Sequence, residues 1–191
     1  MRNLVLFMHT SLDGYVAGPN GEMDWIKVGE ELFEHSLQRT NESDTALYGR
    51  VTYQLMENYW PTAADQPNAN KHDIEHSRWY NNVEKVVLST TMKDAKLANT
   101  RVVRKNAAAE IKKLKQSAGK DILMFGSPTV AHSLMAENLI DDYWLFVNPI
   151  LLGQGIPLFN DIKSKTALTL VTGQIFPSGV VCLHYKYVQD K

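Results

Sequence analysis

Two short stretches carry residue types suited to holding a phosphate. In the first, Gly126, Ser127, Pro128 and Thr129 follow an apolar run at 122–125. They precede Val130, Ala131, Leu134 and Met135 at helical spacing. A strand, a tight glycine turn and a helix start aim unpaired backbone N–H groups at one point, which favours an anion. Ser127 suits the N-cap, and Pro128 suits the first turn because its missing N–H has no partner there anyway. In the second stretch, residues 44–48 read as a strand, and Gly49-Arg50-Val51-Thr52 opens a helix running to about Tyr59. Gly49 permits close backbone approach, and Arg50 adds a charged planar fork matched to phosphate oxygens. Strand, glycine and helix are also how ordinary α/β units are joined, so the pattern alone leaves phosphate binding open.

A third stretch, His72-Asp73-Ile74-Glu75-His76, has the H-x-x-E-H spacing of inverted zinc proteases. On a helix the two imidazoles share a face. The motif is short and no later segment clearly supplies a third ligand, so a solvated helix face with no metal is the expectation. His35 is likewise expected to be a solvated helix residue. Cys182 is the sole cysteine, so an intramolecular disulfide is excluded and a reducing compartment is expected.

The elements that must position these residues follow from periodicity. Residues 4–9 form a continuous apolar run, the mark of a strand buried on both faces. Residues 10–25 are rich in glycine and read as a long loop of functional length. Residues 30–40 read as an amphipathic helix with Leu32, Phe33, Ser36 and Leu37 on one face, and Glu30 and Glu31 favour its N-terminus. Residues 60–70 read as an exposed connection. Short strands are expected at 85–90, 101–103 and 143–152, with a helix at 107–117 capped by Asn106. Gly153 and Gly155 read as a glycine-rich strand connection, since no helix pattern follows. Residues 168–176 and 180–188 form a terminal antiparallel hairpin with one buried face.

Alternating strands and helices, then a hairpin, make an α/β sandwich, expected as one domain over 1–191. Hydrophobic residues at 44%, charged residues at 21% and a net charge of -1 fit a globular protein and argue against a nucleic-acid partner. The early apolar run is too short for a signal peptide and no later run is long enough to span a membrane, so a cytoplasmic location is expected.

Residues 126–159, with the first loop and the Gly49–Thr52 motif, resemble the dihydrofolate-reductase-like family that includes the RibD C-terminal domain, the reductase part of the bifunctional riboflavin-biosynthesis protein. The resemblance implies a three-layer α/β sandwich with a mostly parallel central sheet and an antiparallel C-terminal edge. It implies an NADPH-dependent reductase of a pyrimidine- or pteridine-like small molecule, and a homodimer. By the same resemblance Val16 and Ala17 contact the nicotinamide side, and Asp13, Trp25 and Glu30 border the substrate. Gly49, Arg50, Val51, Thr52, Gly126, Ser127, Pro128 and Thr129 hold the cofactor phosphates. Ser89 and Thr90 meet its adenosine side. The residue types at Arg104 and Lys105 suit either a 2′-phosphate or a plain solvated surface. The stretch 57–61 lacks the arginine or lysine that folate reductases use for the folate carboxylate, which argues against folate. For a ribosyl phosphate, Lys27 and Arg39 are the candidates near the first loop. A non-catalytic nucleotide-binding or dimer module of the same fold is the alternative.

Overall fold

The computed structural model describes residues 1–93 and 97–188. β1 (Leu4–Ser11) lies inside the sheet, with residues 4 to 8 all buried. Its apolar run is unbroken because layers cover both faces: Leu4, Leu6 and Met8 point one way, Val5 and Phe7 the other.

The other elements are β2 (Tyr15–Ala17), α1 (Glu30–Asn41), β3 (Ser43–Gly49), α2 (Arg50–Tyr59), α3 (Lys71–Asn82), β4 (Glu84–Leu88), β5 (Thr100–Val103) and α4 (Ala107–Gln116). After these come β6 (Asp121–Met124), α5 (Pro128–Met135), β7 (Asp142–Asn148), β8 (Ile156–Pro157), β9 (Leu168–Ile175) and β10 (Val181–Tyr187). Among the described residues the main sheet has eight strands in the order β5-β4-β3-β6-β1-β7-β10-β9. The pairings from β5 through β7 are parallel, and β10 runs antiparallel to β7 and β9. This is the expected mostly parallel sheet with an antiparallel C-terminal edge.

Helices cover both faces. Ile111 and Leu114 of α4 and Val130, Ala131 and Leu134 of α5 pack on Leu6, Leu47, Val86 and Met124. On the opposite face Leu32 of α1 meets Val5, Phe7, Trp144 and Phe146, and Tyr80 of α3 meets Tyr48, Tyr53 and Val87. Each such buried side chain contributes about 1.5–3 kcal/mol.

Several local expectations change. α1 buries Leu32 and Ser36 of the expected face and Thr40 a turn further on, while Phe33 and Leu37 are half-buried, Phe33 stacking on His72 of α3 at 4.0 Å. His35 is not solvated: it packs against Trp144 and Phe176, with Nε2 3.0 Å from Gln174 Oε1. Residues 60–65 form a 3-10 helix that buries Ala63, with Pro61 accommodated in its first turn. The first loop contains β2, which pairs with β8. Gly155 is required there, since a Cβ would sit 2.3 Å from the Ala17 carbonyl oxygen. Asn106 precedes α4 in a left-handed conformation that asparagine tolerates, and makes no side-chain cap bond. In the hairpin, Cys182 and His184 are the buried pair, while β9 is exposed along its length.

Two buried cations tie the fold together. Lys115 is 6% exposed, pairs with Asp141 at 2.6 Å and donates to the Leu139 carbonyl at 2.8 Å. Arg2 pairs with Asp44 and donates to the Lys120 carbonyl at 2.6 Å.

Candidate functional site

In open α/β sheets the ligand crevice lies beyond the carboxyl ends of the strands, where the chain order reverses. Here β3 and β6 are neighbours although far apart in sequence. β3 ends at Gly49, β6 is followed by Phe125 and Gly126, and each leads into a helix, so the starts of α2 and α5 lie side by side. A Cβ on Gly49 would lie 2.7 Å from Ser127 Cβ and 3.2 Å from Val130 Cγ2. Glycine at 49 is what lets the two turns approach this closely. Gly126 has φ +106° and faces the Thr52 hydroxyl, and its peptide bond to Ser127 is cis.

Neither helix start is capped by a side chain. Gly49 has none, and Ser127 occupies the N-cap without making the expected bond. The first-turn N–H groups of both helices therefore keep their capacity for an anion. Arg50 is exposed at the rim, its Nη1 donating to Gln54 Oε1 at 2.9 Å. Val51 and Thr129 are exposed, and Thr52 and Pro128 half-buried. This constellation fits a dinucleotide phosphate: two convergent helix starts held close by a glycine, and a guanidinium at the edge.

Beside it, a cleft of about 210 Å³ opens at the end of β1. Phe7, Met8 and His9 form its floor, and Val16, Met23 and Ile26 of the first loop one wall. Ser36, Met56, Trp60 and Phe125 close the other sides together with His72 and His76. A similar cavity, about 230 Å³, lies under residues 159–166. It is away from the strand ends and the paired helix starts, so the chemistry is assigned to the first cleft.

Burial sets the electrostatics. His9 is held down at about 4, and His76, also repelled by His72, at about 3. His72 is lowered by burial against the opposing pull of Asp73 and Glu75. His76 is thus not on a solvated helix face. It is 6% exposed, lies 4.0 Å from the Trp60 ring, and its Nε2 finds no hydrogen-bond partner among the described residues.

The remaining predicted residues divide. Val16 lines the cleft and Ala17 is buried next to it in β2. The side chains of Asp13, Trp25 and Glu30 are not brought to it. Asp13 accepts from Ser11 Oγ at 2.6 Å and from the N–H groups of Leu152 and Gly153 at 3.1 and 2.8 Å. The Ser11 and Gly153 bonds lead in holding its carboxyl below the usual aspartate value. Trp25 donates from Nε1 to the Glu22 carbonyl at 3.1 Å, and its neighbour Ile26 faces the cleft instead. Glu30 lines an adjoining groove between α1 and α3 with Phe33, His72 and Glu75. Ser89 and Thr90 follow β4; Ser89 Oγ accepts from Met92 N–H at 3.0 Å. Arg104 donates to the Met92 carbonyl at 2.9 Å and Lys105 is exposed nearby. Lys27 Nζ donates to the Ser178 carbonyl, and Arg39 pairs with Glu42 and lies over the Trp144 ring.

Sequence reasoning missed His9, Ser36, Trp60 and Phe125 as cleft residues. His9 had a usable signal: a lone imidazole at the carboxyl end of a buried strand, where ligands bind.

The fold is that of a dihydrofolate-reductase-like α/β protein. A family model, the RibD C-terminal domain, matches residues 2–182, and the chain belongs to that family. It is 33% identical over 190 residues to the uncharacterized protein YyaP of Bacillus subtilis strain 168, covering 97% of this chain and 95% of that one. Among solved structures, a putative riboflavin biosynthesis protein from Shewanella sp. PV-4 superposes with TM-score 0.72 at 22% identity, covering 99% of this chain and all of the other. Dihydrofolate reductase from Enterococcus faecalis, complexed with NADP(H), superposes with TM-score 0.63 at 12% identity over 98% of this chain and 97% of that one.

Proposed function

We propose that the protein is an NADPH-dependent reductase of a pyrimidine- or pteridine-like small molecule. The observation that carries this is the juxtaposition of two uncapped helix starts, at Gly49 and Ser127, with an aromatic cleft at the end of β1. The family supports a reductase in general terms, and its fold relatives include a protein complexed with NADP(H).

In this reading the first-turn N–H groups of α2 and α5, with Arg50, Thr52 and Thr129, hold the phosphates. Arg104 or Lys105 meets a 2′-phosphate, and Ser89 and Thr90 the adenosine side. Val16 and Ala17 orient the ring end of the cofactor, whose nicotinamide supplies a hydride. The cleft walls orient the acceptor and exclude water. Asp13 holds the loop rather than the proton, because its carboxylate is occupied and ionised. The proton then comes from water entering along the groove that Glu30 lines.

A calorimetric titration with NADPH and, separately, NADH tests this. Binding of NADPH well ahead of NADH is expected, and binding of neither refutes the reading. We also propose a homodimer through β9, the edge strand whose outer side meets no strand among the described residues and which exposes Leu170, Val171 and Ile175. Sedimentation showing a monomer at micromolar concentration would remove that proposal.

A further inference from the structure

The described residues lining the cleft include no aspartate, glutamate, lysine or arginine. Its side-chain polar groups are the Trp60 indole N–H, which donates to Met56 Sδ at 3.0 Å, the Ser36 hydroxyl, and the imidazoles of His9, His72 and His76. Burial keeps the latter neutral at neutral pH, so they offer hydrogen bonds without charge.

Asn148 orients the His9 ring from one side. The Lys27 backbone N–H donates to Asn148 Oδ1 at 2.9 Å, which turns the Asn148 amide nitrogen toward His9 Nδ1, 3.4 Å away. That nitrogen has two hydrogens and lies nearer the Phe146 and Thr10 carbonyls, at 3.1 and 3.2 Å, so the His9 ring keeps its hydrogen-bonding capacity for a ligand. His76 adds a buried Nε2 with no partner among the described residues. Trp60 and Phe125 supply flat apolar surface on either side of His76, at ring distances of 4.0 and 5.6 Å.

The surroundings disfavour an anion. Lys27 and Arg39, which follow the cleft residues Ile26 and Ser36 in the chain, are engaged elsewhere, with Ser178 and with Glu42. The adjoining groove between α1 and α3 carries Glu30, Glu34 and Glu75 against the single ammonium of Lys71. A phosphate or carboxylate arm leaving the cleft that way meets three carboxylates. An anion inside it loses its hydration without gaining a counter-charge.

We infer that the molecule taken by this cleft is a small, flat, uncharged heteroaromatic of one or two rings, without a phosphate or carboxylate arm, hydrogen-bonded by the imidazoles of His9 and His76. A volume of about 210 Å³ suits that size and falls below the range of drug-sized sites. The inference narrows the reductase reading and rests on it for the reaction, but the binding it describes needs no turnover.

The test is a matched pair of ligands. The full chain is titrated calorimetrically at pH 7 with pterin and with pterin-6-carboxylate, without cofactor. Pterin is expected to bind, and the carboxylate to bind about tenfold or more weakly. Equal or tighter binding of the carboxylate, or binding of neither, overturns the inference. His76→Phe, which keeps an aromatic ring and removes Nε2, is expected to lose about tenfold in pterin affinity while still preferring the neutral ligand. Full affinity in the folded variant overturns the role of His76. The two readings fail separately: NADPH binding without this discrimination refutes only the cleft inference, and discrimination without NADPH binding refutes only the reductase.

Discussion

The Asp13 carboxylate accepts a hydrogen bond from the backbone N–H of Gly153 at 2.8 Å, across 140 residues of chain. A second bond from Leu152, and one from Leu12 N–H to the Ile150 carbonyl at 2.8 Å, complete a seam between the first loop and the turn before β8. Val16 enters the cleft wall from that seam. Asp13→Ala should therefore loosen the loop and weaken cofactor and substrate binding together, with little change in global stability. Faster amide hydrogen exchange confined to residues 12–17 and 150–155 is the readout. Because the Asp13 carboxyl is depressed, the tether is fully present above the ordinary value of 3.8 and is lost as the pH falls below it.

Gly49→Ala drives a methyl group into Ser127 and Val130, both fixed by the start of α5. The expected cost is about 1–3 kcal/mol of stability, as for other overpacked sites. Urea denaturation measures it. NADPH affinity should fall as well, since the two helix starts are pushed apart.

Arg50→Ala leaves the fold unchanged, because Arg50 is exposed and its bond to Gln54 is a surface contact. NADPH affinity should fall by about 1.5–3 kcal/mol for the loss of a charged hydrogen bond. An unchanged affinity in the folded variant would take Arg50 out of the site.

Lys115→Met breaks the buried pair with Asp141 and strips the Leu139 carbonyl of its donor. The loss should be about 3–5 kcal/mol, because Asp141 is left partly buried without its counter-charge. Removing Asp141 as well should restore part of it, a coupling that a double-mutant cycle would resolve.

Acid sensitivity should come from the histidines. His9 and His76 are lowered from 6.5 to about 4 and about 3, so below pH 6.5 the unfolded chain binds protons that the folded one refuses. Stability is full above pH 6.5 and falls as the pH drops toward those lower values. The slope is at most about 1.4 kcal/mol per pH unit for each histidine. Urea midpoints at pH 7, 6 and 5 should show this, and His76→Phe should flatten the fall.

The layered fold was legible because its evidence is local. The apolar run of β1, the glycines at 49 and 126 and the strand-helix alternation each report burial or a turn within a few residues. The resemblance to the RibD C-terminal family rests on the glycine stretches, and the family model matches residues 2–182. The hairpin was legible too, yet the burial of its second strand was decided by what packs on it: His184 stacks on Trp144 at 4.2 Å and pairs with Asp142 at 2.6 Å.

The cleft was not legible, and α3 shows why. His72 and His76 satisfy a metal-binding spacing and also a plain solvated face, and periodicity cannot separate the two. The fold brings Phe33, Trp60 and Phe125 from three other elements against them, which dries the imidazoles and keeps them neutral. Asp13 is the converse case. The residues around it suggest a site carboxylate, but its partners Leu152 and Gly153 arrive only when β2 meets β8. The sequence by itself determined the elements and the glycine turns, since propensity and burial pattern are properties of neighbouring residues. The tertiary structure alone decided which polar groups are desolvated and which are satisfied, because both depend on atoms that distant segments supply.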